Sequence, residues 1–188
     1  MQKIAAGLWR WTARHPEWEP DAEAESPADW PPDVGCVAYE TGDVVALIDP
    51  LVDSWPPLDE LVAGRPVAVL VTIDWHRRSS GEAIERYGAS TEPPAGVEAI
   101  AFPEAGETMF WLPGPRALVP GDRLLGSDGG LRLCPDSWLR YLPSRIGLAE
   151  LRQQLGRLLE LPIEVVLVSH GEPVLSDGRD ALADALAA

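Results

Sequence analysis

Lysine, histidine and cysteine are scarce in this sequence, and the shortage of cysteine argues against one kind of metal site. The chain of 188 residues has three histidines, two cysteines and a single lysine, Lys3. Because Cys36 and Cys134 lie far apart and form no CxxC pair, they argue against a zinc site built from thiolates. We expect two buried thiols instead.

Positive charge and long apolar runs are also lacking. The net charge at pH 7 is −15, so nucleic acid and anionic membranes would repel the chain, and neither is expected as a partner. No apolar run approaches the length of a membrane span and no basic, apolar leader opens the chain, which predicts a cytoplasmic protein. The length and the 46% of apolar residues are typical of one globular domain, residues 1–188.

The sequence does contain several apolar runs that end in ionisable residues. Asp49 follows VVALI, His76 comes shortly after VAVLV, Asp122 follows ALVPG, and His170 follows VVLVS. Ligands of α/β proteins bind where strands end, because the backbone turns away there and leaves a crevice. We therefore expect these four side chains to lie around one crevice.

The segments between these strands predict helices and turns. PLDELVAG, GEAIERYG, LAELRQQLGRLLEL and DGRDALADALAA have the periodicity or the end signals of helices, and Ser79 with Glu82 predicts a capping box for the second of them. Glu-Thr-Gly-Asp, residues 40–43, joins two β-rich runs and predicts a hairpin. The acidic, proline-rich segment 21–33 predicts an exposed loop.

The order of these motifs resembles the metallo-β-lactamase superfamily. That family has an aspartate after an early strand, and Asp49 in LIDP matches it. A later Gly-Asp and a final Ser-His or Gly-His are matched by Asp122 in ALVPGDRLLG and by His170 in VVLVSHGEP. The resemblance covers roughly the whole chain. It implies an α/β fold, a four-layer αββα sandwich of two mixed β-sheets with helices outside.

The metal-binding motif of that family is not preserved. Thr72 matches the first residue of Thr-His-x-His-x-Asp-His. The four ligand positions of that motif are occupied by Ile73, Trp75, Arg77 and Arg78. Glu107 stands where the family has the histidine of Gly-His-Thr. A two-metal hydrolytic site, which needs a full set of ligands around a bridging water, is therefore not expected.

Few of the family's site residues remain. The resemblance leaves Asp122 and His170 at ligand positions and gives Asp49 a mainly structural role. His76 lies one residue out of the ligand register and inherits no role from the family. We assign any catalysis to His170 and Asp122.

Three functions are compatible with these residues. We favour a degenerate member of the family that has no metal cofactor and is either non-catalytic or binds a small anionic ligand. The second is a mononuclear hydrolase with one zinc ion held by Glu107, Asp122 and His170. The third is a homodimeric or partner-binding module that uses the tryptophan-rich N-terminal half. Whether the chain is an enzyme stays open at this stage.

Arginines at former ligand positions suggest a replacement for the metal charge. An aspartate in a metal-free pocket needs a partner, and a planar guanidinium can bind it with two hydrogen bonds. We therefore predict that Arg77 or Arg78 turns inward and pairs with a carboxylate among Asp49, Glu107 and Asp122.

The ligand site predicted from these residues has five members. They are Arg77, Arg78, His76, Trp75 and Asp49. For Trp75 we favour filling the volume that metal and imidazoles would occupy, and the alternative is stacking against a ligand ring. His15, in the N-terminal loop, is expected to face solvent.

Overall fold

The computed structural model describes residues 1–24, 26 and 28–188. The strands are β1 (Gln2–Ala5), β2 (Leu8–Arg14), β3 (Asp33–Thr41), β4 (Val44–Ile48), β5 (Val67–Leu70), β6 (Glu98–Phe102), β7 (Glu107–Leu112), β8 (Ala117–Val119), β9 (Leu124–Ser127), β10 (Gly130–Leu133) and β11 (Val165–Val166). The α-helices are α1 (Pro56–Val62), α2 (Ser80–Tyr87), α3 (Asp136–Leu139), α4 (Leu148–Leu155) and α5 (Gly178–Ala187).

The strands form two mixed sheets and one small hairpin. The first sheet has the order β1-β2-β3-β4-β5, and only its β4–β5 pair is parallel. The second has the order β11-β8-β7-β6, with β11 parallel to β8. Strands β9 and β10 pair with each other as an antiparallel hairpin. The predicted turn at residues 40–43 does join β3 to β4, as expected.

The apolar runs are buried on both faces because each sheet is covered twice. Ile48 of β4 faces the second sheet and packs in one cluster with Phe110 of β7, whereas its neighbour Leu47 packs against helix α1. Likewise Trp111 of β7 packs on the outer side, in the cluster that includes Leu151 of α4. The layers are therefore helix, sheet, sheet and helix, and the predicted αββα sandwich is confirmed.

Several local predictions need correction. The predicted helix LAELRQQLGRLLEL stops being α-helical at Leu155 and continues as a 3-10 turn, Gly156–Glu160. The predicted capping box is wrong, because the hydroxyl of Ser79 makes no helix-capping hydrogen bond and instead accepts one from the backbone N–H of Val52 at 3.0 Å. The turn before α2 thus anchors the loop after β4 rather than the helix itself.

Cys36 and Cys134 are buried free thiols, as predicted. Across the described residues, no helix is both long enough and apolar enough to cross a lipid bilayer.

Candidate metal centre

Four strands end at the same edge of the two sheets and bring the predicted side chains together. Asp49 follows β4, His76 lies in a 3-10 turn (Asp74–Arg77) after β5, Asp122 follows β8, and His170 follows β11. Because β4 is parallel to β5 and β8 to β11, the two ends within each pair point the same way. All four residues are buried. The predicted single crevice is confirmed.

His76 is fixed by hydrogen bonds from the first sheet. Its Nδ1 lies 3.0 Å from Asp49 Oδ2 and 3.1 Å from the hydroxyl of Thr72. The other carboxylate oxygen of Asp49 accepts a hydrogen bond from the backbone N–H of Thr72 at 2.8 Å. Asp49 therefore orients the imidazole so that Nε2 points to the second half of the site. The resemblance gave His76 no role, yet it lies between both aspartates of the site.

The carboxylate of Asp122 lies close to the imidazoles of both His76 and His170. Its Oδ1 lies 3.1 Å from His76 Nε2 and 3.3 Å from His170 Nε2. Its other oxygen, Oδ2, accepts a hydrogen bond from the indole N–H of Trp75. One atom from each of His76, Asp122 and His170 lies within 4.8 Å of the other two, which is the spacing of a metal-ligand group.

The electrostatics of the cluster are set by burial and by charge pairing. Burial alone would lower the pKa of His76, but Asp122 and Asp49 outweigh it and raise that pKa to about 9. Burial would raise the pKa of Asp122, yet the two histidines hold it well below its usual range. Burial lowers the pKa of His170, against the opposing effect of Asp122. Without a metal, these effects therefore favour a protonated imidazole at His76, between Asp49 and Asp122, over one at His170.

The imidazole of His170 packs against two tryptophan rings. Its ring centre lies 5.4 Å from that of Trp30 and 6.0 Å from that of Trp138. Its Nδ1 is buried and has no hydrogen-bond partner within the described residues. Trp30 belongs to the segment predicted as an exposed loop, of which Glu25 and Pro27 lie outside the described residues. That segment lies against the protein, since the indole of Trp138 donates to the carbonyl of Ser26 at 2.8 Å.

Glu107 does not belong to the metal-ligand group, so the predicted set of Glu107, Asp122 and His170 is wrong in one member. Its carboxylate accepts hydrogen bonds from the backbone N–H groups of Gly121, Asp122 and Arg123 at 2.8–3.0 Å. Burial raises the pKa of Glu107 to about 7, and nearby Arg123 opposes that shift. Glu107 shapes the loop that carries Asp122, and His76 is the third member of the group with Asp122 and His170.

The predicted arginine–carboxylate pair across the site is also wrong. Arg77 is exposed and pairs with Asp74 three residues earlier. Arg78 does turn inward, but its Nη1 donates to the backbone carbonyls of Gly35 and Asp49, each at 3.1 Å, and its Nη2 to the hydroxyl of Ser169 at 2.6 Å. Arg78 therefore links three strand ends through hydrogen bonds to uncharged acceptors. His76 is the cation that faces the carboxylates.

These two neighbouring arginines give a matched stability test. Arg78→Ala is expected to lower the free energy of unfolding by about 2–4 kcal/mol, because it removes three hydrogen bonds from a charged donor. Arg77→Ala is expected to cost about 0–1 kcal/mol, since its ion pair with Asp74 is exposed to water. Urea denaturation of both variants measures the difference, and equal losses would contradict the inward role of Arg78.

Some residues in and behind the crevice were not predicted from the sequence. His15 was expected in solvent but lines the crevice together with Trp30 and Trp138. Arg123, which directly follows Asp122, is completely buried. Arg123 could have been found from its position in PGDR, directly after Asp122. His15, Trp30 and Trp138 reach the site through long-range packing, which the sequence does not show.

The tryptophans of the N-terminal half are used within the chain. The indole N–H groups of Trp9, Trp11 and Trp18 donate to Glu40, to the carbonyl of Leu51 and to the carbonyl of Trp30, respectively. Each of the three indoles is half-buried. Trp75, in contrast, is 55% exposed and stands at the crevice, so its favoured role as a filler of interior volume is wrong.

Comparison with known proteins identifies the fold. No protein-family model matches the chain, and no curated protein is detectably similar in sequence. A metallo-β-lactamase from Pontibacter korlensis has 17% identity and a TM-score of 0.57, over 99% of this chain and 97% of that one. A metallo-β-lactamase from Erythrobacter litoralis, with β-mercaptoethanol in its active site, has 15% identity and a TM-score of 0.60, over 99% and 93%.

A further similar structure is a metallo-β-lactamase family protein from Thermus thermophilus. It has 16% identity and a TM-score of 0.54, over 98% of this chain and 80% of that one. The chain therefore has the metallo-β-lactamase fold over nearly its whole length, as the order of its sequence motifs implied.

Proposed function

We propose that this chain binds one transition-metal ion, with zinc as the best match, and acts as a mononuclear hydrolase on a small substrate. The observation that carries the proposal is the convergence of His76 Nε2 and His170 Nε2 on Asp122 Oδ1, at 3.1 and 3.3 Å. Three ligands at the usual zinc distances, arranged tetrahedrally, stand roughly 3.3 Å apart. Two imidazoles and one carboxylate also form a ligand set used by catalytic zinc.

The surroundings of the three ligands support the same proposal. Asp49 holds His76 Nδ1 at 3.0 Å, the arrangement in which a carboxylate orients a metal-binding imidazole and raises its basicity. The crevice beside the ligands has a volume of about 210 Å³ and leaves room for a small molecule. When bound, the metal would supply Lewis-acid chemistry for hydrolysis.

The chain's own residues then have distinct roles. His76, Asp122 and His170 hold the ion, and Asp49 orients His76. Trp30 and Trp138 pack against His170 and limit the access of water to it. The anionic ligand expected from Arg77 and Arg78 loses its support, because one guanidinium pairs with Asp74 and the other with neutral acceptors.

A second candidate is the metal-free, non-catalytic member of the family. It is favoured by one observation: His76 lies between Asp49 and Asp122 at 3.0 and 3.1 Å, so its protonated ring can offset one of their two negative charges without a metal ion. This arrangement would keep the fold intact and leave the crevice as a binding pocket. The two candidates differ in their metal content.

The experiment is metal analysis of purified protein after removal of metal by a chelator and dialysis against trace zinc. We expect wild-type protein to retain one zinc ion per chain. His170→Ala and Asp122→Ala are expected to lose it, because each leaves only two ligands. Elemental analysis gives the stoichiometry, and cobalt substitution gives an absorption spectrum that reports the ligand geometry.

Asp74→Ala is the matched control for this experiment. Asp74 lies two residues before His76, but its side chain is 88% exposed and it belongs to the surface ion pair with Arg77. This variant should keep its zinc. Circular dichroism must show that the ligand variants remain folded. A folded wild-type protein that retains no zinc would overturn the hydrolase proposal and favour the metal-free candidate.

A further inference from the structure

The crevice continues into a side pocket whose walls are aromatic rings. Trp75, Trp138 and Tyr141 line this side pocket together with Asp122, and its volume is about 250 Å³. The crevice that contains His76 and His170 shares Trp75, Asp122 and Trp138 with it. A molecule bound at the candidate metal centre could therefore place one of its groups in the side pocket.

Two rings of the side pocket are unusually exposed for their size. Tyr141 is 75% exposed and Trp75 is 55% exposed, and in the described part of the chain only Met1 and Leu175 share this property among large apolar residues. Exposed apolar surface grouped beside a concave site marks a place for a ligand. The indole N–H of Trp75 is bound to Asp122, so this ring is already held in position.

The charges around the side pocket favour a cation. Asp122 is the only charged residue that lines it in the described structure, and Glu17 lies at the neighbouring crevice. Arg78, which also reaches the crevice, has its terminal nitrogens bound to carbonyls and to Ser169. Arg123 lies 5.7 Å from the Trp75 ring centre but is completely buried beside Glu107.

Aromatic faces carry negative electrostatic potential and attract planar cations. The net charge of −15 adds a long-range attraction for positively charged molecules. A carboxylate-bearing group would meet Asp122 and three ring faces, and the cations at the neighbouring crevice already have partners: His76 lies between Asp49 and Asp122, and Arg78 is bound to carbonyls and to Ser169. The chemistry of the walls thus selects a flat, positively charged group.

We propose that the side pocket of Trp75, Trp138 and Tyr141 binds a flat organic cation, such as an amidinium, guanidinium or protonated aromatic amine, carried by the substrate. The inference rests on the proposed function only in treating the crevice as the substrate site. It replaces the anionic ligand expected from the sequence.

The test uses three probes that share a benzene ring and differ in charge: benzamidinium, benzamide and benzoate. Each is titrated into chelator-treated protein and into zinc-loaded protein, and binding is followed by saturation-transfer NMR and by the indole N–H resonance of Trp75. In chelator-treated protein, benzamidinium should bind tightest and benzoate weakest. The cation should bind about fivefold more tightly than neutral benzamide.

Tyr141 provides the variants. Tyr141→Ala should weaken benzamidinium binding about fivefold, whereas Tyr141→Phe, which keeps the ring, should bind it as the wild type does. Leu175→Ala removes another exposed apolar side chain, one that does not line the side pocket, and it should leave benzamidinium binding unchanged. Since Tyr141 is mostly exposed, its replacement should leave the fold and the zinc content unchanged.

The outcomes separate this inference from the proposed function. Benzamidinium binding in a protein that retains no zinc would support the side pocket and overturn the hydrolase. Retention of one zinc ion together with equal or tighter binding of benzoate to the chelator-treated protein would overturn the side pocket alone. An unchanged affinity of Tyr141→Ala for benzamidinium would also overturn it.

Discussion

Replacing Glu107 by alanine is expected to lower the free energy of unfolding by about 3–5 kcal/mol. Three backbone N–H groups, those of Gly121, Asp122 and Arg123, would lose their acceptor inside the protein. Arg123, with no exposed surface, would keep a buried charge whose nearest carboxylate, 3.9 Å away, is gone. Urea denaturation at a pH above the Glu107 pKa of about 7, where the carboxylate is ionised, measures the loss.

Glu98→Ala is the control for this substitution. Glu98 lies on β6, directly opposite Trp111 of β7, but is exposed to solvent. Its removal should change stability by no more than about 0.5 kcal/mol. If Glu107→Ala were as stable as Glu98→Ala, the loop that carries Asp122 would not depend on the Glu107 carboxylate, and Glu107 would again be available for another role.

Much of the fold could be predicted because strands that are buried on both faces have uninterrupted apolar sequences. VVALI and VAVLV are apolar at every position, which a strand covered on both faces requires. The strand ends then placed Asp49, Asp122 and His170 correctly at one edge. The lengths of short strands were harder to predict. Strand β11, Val165–Val166, pairs over only two residues, although the apolar run VVLVS predicts a longer strand.

The site could be predicted only where a residue's position follows from its strand. The family resemblance gave His76 no role, because motif spacing does not show that the loop after β5 forms a 3-10 turn, Asp74–Arg77, which brings His76 and not Trp75 or Arg77 inward. Arg78 has a positive φ of 38°, and this unusual backbone turns its side chain toward the strand ends. No spacing rule in the sequence specifies that turn.

The aromatic residues around His170 could not be predicted from the sequence, for a different reason. Trp30 reaches His170 from a segment more than a hundred residues away in the chain, and Trp138 reaches back to the carbonyl of Ser26. Such contacts depend on how loops without regular structure pack, and periodicity carries no information about them. Only the abundance of tryptophan, eight residues, indicated that aromatic surfaces would matter.

One glycine in the β9–β10 hairpin controls the position of His170. The backbone N–H of Gly126 donates to the carbonyl of His170 at 2.9 Å. A side chain at Gly126 would place its Cβ 2.5 Å from the backbone nitrogen of Glu172, closer than real Cβ atoms approach. From the other side, a Cβ on Gly171 would lie 2.5 Å from the carbonyl oxygen of Gly126. The two backbones are thus in direct contact beside His170.

Gly126→Ala is therefore expected to lower the free energy of unfolding by about 2–3 kcal/mol, because the neighbouring backbone must move to admit a methyl group. That movement displaces His170 from Asp122, so zinc retention should fall together with stability. Gly130→Ala, in the same hairpin, has no atom within 4 Å of the added Cβ and should leave both properties nearly unchanged. Urea denaturation and elemental analysis are run on both variants. Full zinc retention by Gly126→Ala would mean that the hairpin does not hold His170, and that the segment after β11 keeps this ligand in place by its own packing against Trp30 and Trp138.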